Sequence, residues 1–202
     1  MTIKELSKRL VEYKDQGNNQ FKQKQYPVAA SIFTGGVDLF LANEAQCRTD
    51  SDCMVKVAQL YTNRALAYAN NNEQEPAFKD ADYVLTNIDH RNAKALFRRA
   101  QYFRLKNQLV KAEQDLTLLC KVDTKNAAAR KDLAEVKKMI KKENESKSKI
   151  KEVAETTAEG AAPIIEEVEQ VEPQKPKTVL KTKNVDQDTV DKAAERAAQD
   201  AI

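Results

Sequence analysis

The segment LYTNRALAYANNNEQEPAFKDADYVL (residues 60–85) decides the fold once it is laid over LFRRAQYFRLKNQLVKAEQDLTLL (96–119). Ala65 falls on Ala100, Ala77 on Ala112 and Asp80 on Asp115, each pair 35 residues apart, and Tyr68 and Phe103 keep the register. An earlier copy, KDQGNNQFKQKQYPVAASIFTGG (14–36), sets Gly17 on Ala65 and Ala29 on Ala77, both 48 apart. A repeat of about 34 residues leaves about 14 extra. The polar stretch ANEAQCRTDSDC (42–53) is the place for them.

The small residues have a packing reason. Where two antiparallel helices cross, a Gly or Ala lets the partner's backbone approach. Gly17, Ala65 and Ala100 fill that role on the first helix of each pair, and Ala29, Ala77 and Ala112 on the second. The expected repeats span about 10–43, 58–90 and 92–124. After them NAAARKDLAEVKKMIKK (126–142) carries an apolar stripe of Leu133, Val136, Met139 and Ile140. A stack of repeats needs such a closing helix with a polar outer face. The expectation is an all-α domain of seven helices over residues 1–142, with an inserted loop at 42–53.

Composition bounds the rest. The 202 residues are 32% charged and 41% hydrophobic, with a net charge of +3. That balance does not imply strong nucleic-acid binding. All twelve aromatics lie between Tyr13 and Phe103, so the core belongs to the first part of the chain. Three cysteines (Cys47, Cys53, Cys120) at no framework spacing point to a reducing compartment, with Cys47 and Cys53 as thiols in the inserted loop. Cys120 is expected as a small buried residue. One histidine, His90, expected between repeats, and scattered cysteines give no metal-ligand pattern. The N-terminus is charged from its fourth residue and no apolar run nears membrane length, so a cytoplasmic protein without cofactor is expected.

From 143 onward a flexible charged tail is expected. Residues 152–172 hold seven acids and no base, and 173–183 four lysines and no acid. Within it APIIEEVEQV (162–171) sets β-branched residues in an acidic, proline-bounded context, as segments that add a strand to a partner's sheet do. IEEVE (165–169) also imitates an acidic peptide that could fold back onto Lys94 and Arg98. The end, DTVDKAAERAAQDAI, reads as a short, weak helix.

One polar set on the first helices has no packing reason. Lys14 and Asn18 share a face, Asn63 sits mid-helix where asparagine is unfavourable, and Arg98 stands 35 residues after Asn63. Lys94 and Arg98 are like charges at i,i+4, which costs a helix about 0.2–0.5 kcal/mol. Three cations and two amides facing one groove, with no anion nearby, would be satisfied by a ligand with two carboxylates.

The small–aromatic–small spacing resembles the tetratricopeptide repeat, met three times over residues 10–121. The proline that often ends each repeat is missing, and Gly36 replaces the usual Ala in the first. The polar set resembles the carboxylate clamp of co-chaperones in this family: Lys-x-x-x-Asn (Lys14, Asn18), Asn (Asn63) and Lys-x-x-x-Arg (Lys94, Arg98). That resemblance implies a right-handed α-superhelix whose first helices line the concave face. It implies binding of the C-terminal Glu-Glu-Val-Asp peptide of heat shock protein 90 or heat shock protein 70. Lys14, Asn18 and Asn63 would hold the terminal carboxylate, and Lys94 and Arg98 the aspartate side chain. Phe21 would meet the peptide's apolar residues, while Ala69 stands where a second aromatic is usual. Within the family the chain resembles the sperm-associated antigen 1 and RNA polymerase II-associated protein 3 type. That implies a monomeric adaptor in the assembly of large complexes, such as dynein arms or an R2TP-like complex, whose tail around Ile164–Val171 meets a PIH-type domain. A scaffold or import receptor for other acidic peptides is the alternative. Catalysis is not expected, since the 60 residues after the stack hold no His, Cys or aromatic.

Overall fold

A computed structural model of the chain describes the backbone of residues 1–159 and the side chains of residues 1–150. The segment at 162–171, the lysine-rich stretch at 173–183 and the alanine-rich end lie outside the described residues. Eight helices follow in order: α1 (Ile3–Lys22), α2 (Tyr26–Leu41), α3 (Glu44–Arg48), α4 (Ser51–Asn70), α5 (Gln74–Asn87), α6 (Ala93–Leu105), α7 (Leu109–Val122) and α8 (Ala127–Glu159). α1 packs on α2, α4 on α5 and α6 on α7; α4 also packs on α1 and α2, α5 on α6, and α7 on α8. No strand occurs among the described residues.

The repeat register is written in the turns as well as the helices. Lys24, Asn72 and Asn107 are the non-glycine residues with positive φ (62°, 63° and 55°). They fall at the same 48- and 35-residue offsets as the small residues, so each pair turns through one left-handed residue. Two of the three are asparagine, a residue enriched in that conformation.

All the small crossing residues are buried. In the first pair the space beside Gly17 is filled by Phe33, which is fully buried. A Cβ at Gly17 would lie 2.6 Å from Phe33 Cδ1 and 2.7 Å from Cζ. Ala81 and Leu116, both smaller, occupy the position of Phe33 in the other two repeats, where Ala65 and Ala100 stand in place of Gly17. Gly17→Ala therefore overpacks the first pair by about 1–3 kcal/mol, against about 1 kcal/mol of helix propensity gained. The expected net result is a loss of about 1 kcal/mol in urea unfolding, recovered by Gly17→Ala with Phe33→Leu.

Partly buried arginines join successive repeats. Arg64 of α4 donates Nε and Nη2 to Asp80 of its own pair (2.8 and 2.7 Å), and Nη1 to Thr34 of the preceding pair (3.1 Å). Arg99 of α6 repeats this, with Nε and Nη2 on Asp115 (2.8 Å each) and Nη1 on Asp82 of the preceding pair (2.8 Å). Asp80 and Asp115 are buried. Gln16 and Ile32 hold the corresponding places in the first repeat, which lacks the pair.

The inserted stretch departs from expectation. It is not a loop of free thiols: α3 carries the chain back toward α4, and Cys47 and Cys53 are disulfide-bonded with Cα atoms 5.6 Å apart. Both are fully buried in the hydrophobic core, and Cys53 lies in the first turn of α4, capped by Asp50. The bond corrects the expected reduced pair, because the short helix brings the two residues within bridging reach. Cys120 is the free cysteine among the described residues, and it is half-buried rather than a core residue. The described residues thus hold eight helices instead of seven.

The closing helix is also longer than expected. Its packed stripe ends at Ile140, yet α8 continues to Glu159. No Gly or Pro interrupts it before Gly160, and Lys147–Glu143 and Lys141–Glu145 support it as i,i+4 ion pairs (2.7 and 3.9 Å). None of the described helices is long and apolar enough to cross a membrane.

Candidate functional site: a cationic cleft on the first helices

Residues of α4 and α6, among them Thr62, Asn63, Leu66, Lys94, Phe97 and Arg98, line a cleft of about 370 Å3, and Asp123 and Asn126 between α7 and α8 also line it. Three of the expected site residues, Asn63, Lys94 and Arg98, therefore meet in one place. A fourth joins them: Asn63 Nδ2 donates to Asn18 Oδ1 on α1 at 2.9 Å. That bond leaves one N–H of Asn63 and both of Asn18 as donors for an anion. Asparagine at a mid-helix position is thereby explained by its partner on the neighbouring repeat.

Lys14 lies one turn before Asn18 on α1. The expectation that it lacks a nearby anion is corrected: its Nζ is 3.6 Å from Asp15 of the same helix. Asp15 is mostly exposed, so the pair is weak. Asp123 also lines the cleft, but its carboxylate accepts from Lys125 N and Asn126 Nδ2. Phe21 is half-buried and packs against Tyr26, ring centroids 5.2 Å apart; it does not line the cleft.

Two adjacent arginines show what is special about the cleft. The Arg99 guanidinium is raised above its ordinary value, first by its hydrogen bond to Asp115. Arg98, next in sequence, is lowered by burial. Its contacts are neutral: Nη1 donates to Gln101 Oε1 at 2.9 Å, and the guanidinium lies 5.7 Å from the Phe97 ring centre. Among the described residues neither Arg98 nor Lys94 has an ion-pair partner. A half-desolvated cation without a counter-ion favours a bound anion.

The cleft is open at both ends. At one end it shares Arg98 with a second cleft of about 400 Å3 beside Ala69, Gln101 and Leu105. At the other it shares Thr62, Ala93 and Lys94 with an apolar one of about 640 Å3. These flanks were not foreseen from sequence, because they depend on how far each helix overhangs its neighbour. His90 sits exposed in the turn before α6 and takes no part. No cluster of His, Cys, Asp or Glu that could hold a metal occurs among the described residues.

No family model matches the chain. The second TPR domain of human RPAP3, solved in complex with the HSP70 peptide SGPTIEEVD, superposes with a TM-score of 0.53 at 27% identity, covering 65% of this chain and 98% of that one. This is a tetratricopeptide-repeat fold. The tetratricopeptide-repeat chain is 29% identical to human sperm-associated antigen 1 over 178 residues, 88% of its own length and 17% of that protein's. It is 29% identical to FK506-binding protein 59 of Drosophila melanogaster over 142 residues, 70% of its own length and 30% of that protein's. It thus spans less than a third of either relative, and it resembles the tetratricopeptide co-chaperones of the sperm-associated antigen 1 and RPAP3 type.

Proposed function

We propose that the chain is a non-catalytic co-chaperone adaptor whose cleft binds the C-terminal Glu-Glu-Val-Asp peptide of HSP90 or HSP70. The observation that carries this reading is the meeting of Asn63, Lys94 and Arg98 on one cleft, with Asn18 bonded to Asn63 and neither cation ion-paired among the described residues. The relative bound to SGPTIEEVD supports it. Lys14 and the free N–H groups of Asn18 and Asn63 hold the terminal carboxylate, as charge-assisted bonds do best. Lys94 and Arg98 hold the aspartate side chain, and Phe21 beside Tyr26 offers an aromatic surface to the peptide's apolar residues. The tail around Ile164–Val171 recruits a further assembly factor of PIH type, in the cytoplasm.

A second reading, a groove for other acidic peptides, is favoured by the two open ends of the cleft. Calorimetry with SGPTIEEVD as free acid and as C-terminal amide separates the two. The clamp reading expects the amide to bind at least tenfold more weakly, about 1.4 kcal/mol. Equal affinity for the two peptides means that the terminal carboxylate is not read, and only the second reading survives.

A further inference from the structure

The two glutamates of Glu-Glu-Val-Asp have no partner among Lys14, Asn18, Asn63, Lys94 and Arg98, which the terminal carboxylate and the aspartate side chain occupy. They lie where the peptide leaves the cleft. The clefts succeed one another along α6: Ala93 and Lys94 border the apolar flank, Lys94 to Arg98 the central cleft, and Arg98 to Leu105 the second cleft. The peptide leaves through one of the two ends.

The ends differ in what they offer a carboxylate. The apolar flank presents Met54, Val55, Ala58 and Ile88. Its one cation among the described residues is Lys94, which the aspartate already engages, and Asp89 adds an anion. A glutamate dehydrated there gains no cation. The second cleft adds Gln101 and Arg104 beside Arg98. Gln101 Oε1 accepts from Arg98 Nη1 at 2.9 Å, so its amide N–H groups are left to donate. Arg104 Nη1 is 3.5 Å from Asp132 and 3.6 Å from Glu135, both on α8. Those separations exceed a charge-assisted hydrogen bond, about 2.7–2.9 Å. They contrast with the 2.8 Å bonds that commit Arg99 to Asp115 and Asp82. Arg104 is thus held at the cleft without being spent. Two guanidinium groups line this end against one carboxylate, that of Asp132.

Spacing chooses between the two glutamates. An extended peptide advances about 3.3 Å per residue and puts alternate side chains on the same side. The second glutamate, two residues before the aspartate, shares the aspartate's side about 7 Å further on. Along α6, Gln101 lies about 4.5 Å past Arg98 and Arg104 about 9 Å past it. The second glutamate falls between them. The first glutamate and the valine point to the other side.

We propose that Gln101 and Arg104 form a subsite for the second glutamate of the Glu-Glu-Val-Asp peptide. The proposal rests on the clamp reading of the cleft. The clamp then reads the end of the peptide, and the subsite rejects peptides that end in aspartate but carry a neutral residue two places earlier. The preference is set by position: the second glutamate counts and the first does not.

Calorimetry with SGPTIEEVD, SGPTIEQVD and SGPTIQEVD as free acids tests this. On the wild-type chain, replacing the second glutamate (SGPTIEQVD) is expected to weaken binding about tenfold, and replacing the first (SGPTIQEVD) less than about threefold. Gln101→Ala with Arg104→Gln, checked for folding by circular dichroism, is expected to bind SGPTIEEVD and SGPTIEQVD within about threefold of each other. If Arg104 serves only to tie α6 to α8, its loss weakens all three peptides alike and leaves their ratios unmoved. The peptide series on the wild type needs no variant. Equal wild-type affinity for SGPTIEEVD and SGPTIEQVD overturns the proposal. So does an equal loss on replacing either glutamate, or a preference that survives the double variant. The C-terminal amide of SGPTIEEVD in the same series separates the two readings. If the free acid is preferred over the amide while the glutamates are not distinguished, only the subsite is lost. If the free acid does not bind, or binds no better than the amide, the clamp falls and takes the subsite with it.

Discussion

Asp80→Ala is expected to destabilise the domain by about 3–5 kcal/mol, a large share of the roughly 5–15 kcal/mol that holds a typical domain folded. Arg64 is 13% exposed at its side chain and Asp80 7%. Removing the carboxylate leaves the guanidinium buried with only Thr34 as acceptor. The loss is the cost of the orphaned charge, not the worth of the pair. A compensated variant, Arg64→Met with Asp80→Leu, should therefore recover most of it, since well-packed apolar side chains often replace a buried pair at little cost. Urea unfolding reads both. If Asp80→Ala and the double variant unfold at the same midpoint, the charge argument is wrong and the site is merely sensitive to volume. The same reasoning applies to Arg99 and Asp115, one repeat later.

Arg98→Ala should weaken binding of SGPTIEEVD at least tenfold, and Lys94→Ala with Arg98→Ala about a hundredfold. Hydrogen bonds to charged groups contribute about 1.5–3 kcal/mol each, and a factor of ten is about 1.4 kcal/mol. Arg98 is the informative residue because its neighbour provides the contrast. Arg99 is committed to Asp115 and Asp82, so Arg99→Ala should lower stability. Arg98 bonds only the neutral Gln101 among the described residues, so its loss should lower affinity and leave the unfolding midpoint nearly unchanged. Calorimetry and circular dichroism on the two variants separate the roles.

Much of this was legible in the sequence because repetition multiplies weak signals. A single Ala on a helix says little, but Gly17, Ala65 and Ala100 in register define a crossing. The same register placed Asn63 and Arg98 at equivalent points, and these with Lys94 share one cleft. The arginine staples were half visible: Asp80 and Asp115 align, but their partners Arg64 and Arg99 become meaningful only when two helices face each other. Three features escaped for local reasons. The Cys47–Cys53 bond depends on a five-residue helix in a polar stretch, where periodicity has no length to act. The extension of α8 to Glu159 rests on propensity and i,i+4 pairs with no apolar stripe to mark it. The apolar flank beside Lys94 arises from the overhang of α4, a difference in helix length that no residue announces. Phe21, one turn past Asn18, packs on Tyr26 outside the lining of the cationic cleft, and its contact with the peptide's apolar residues belongs to the proposed function alone.

The central claim is that Asn18 and Asn63 read a terminal carboxylate, with Arg98 on the aspartate side chain beside it, and titration of isotope-labelled chain with SGPTIEEVD, followed by NMR, tests it residue by residue. The side-chain amide resonances of Asn18 and Asn63 and the Nε–H of Arg98 should show the largest shifts with the free acid, and those of Asn18 and Asn63 should change little with the C-terminal amide. Shifts that leave these three unmoved with the free acid, or amide shifts of Asn18 and Asn63 that are the same for both peptides, would contradict the account.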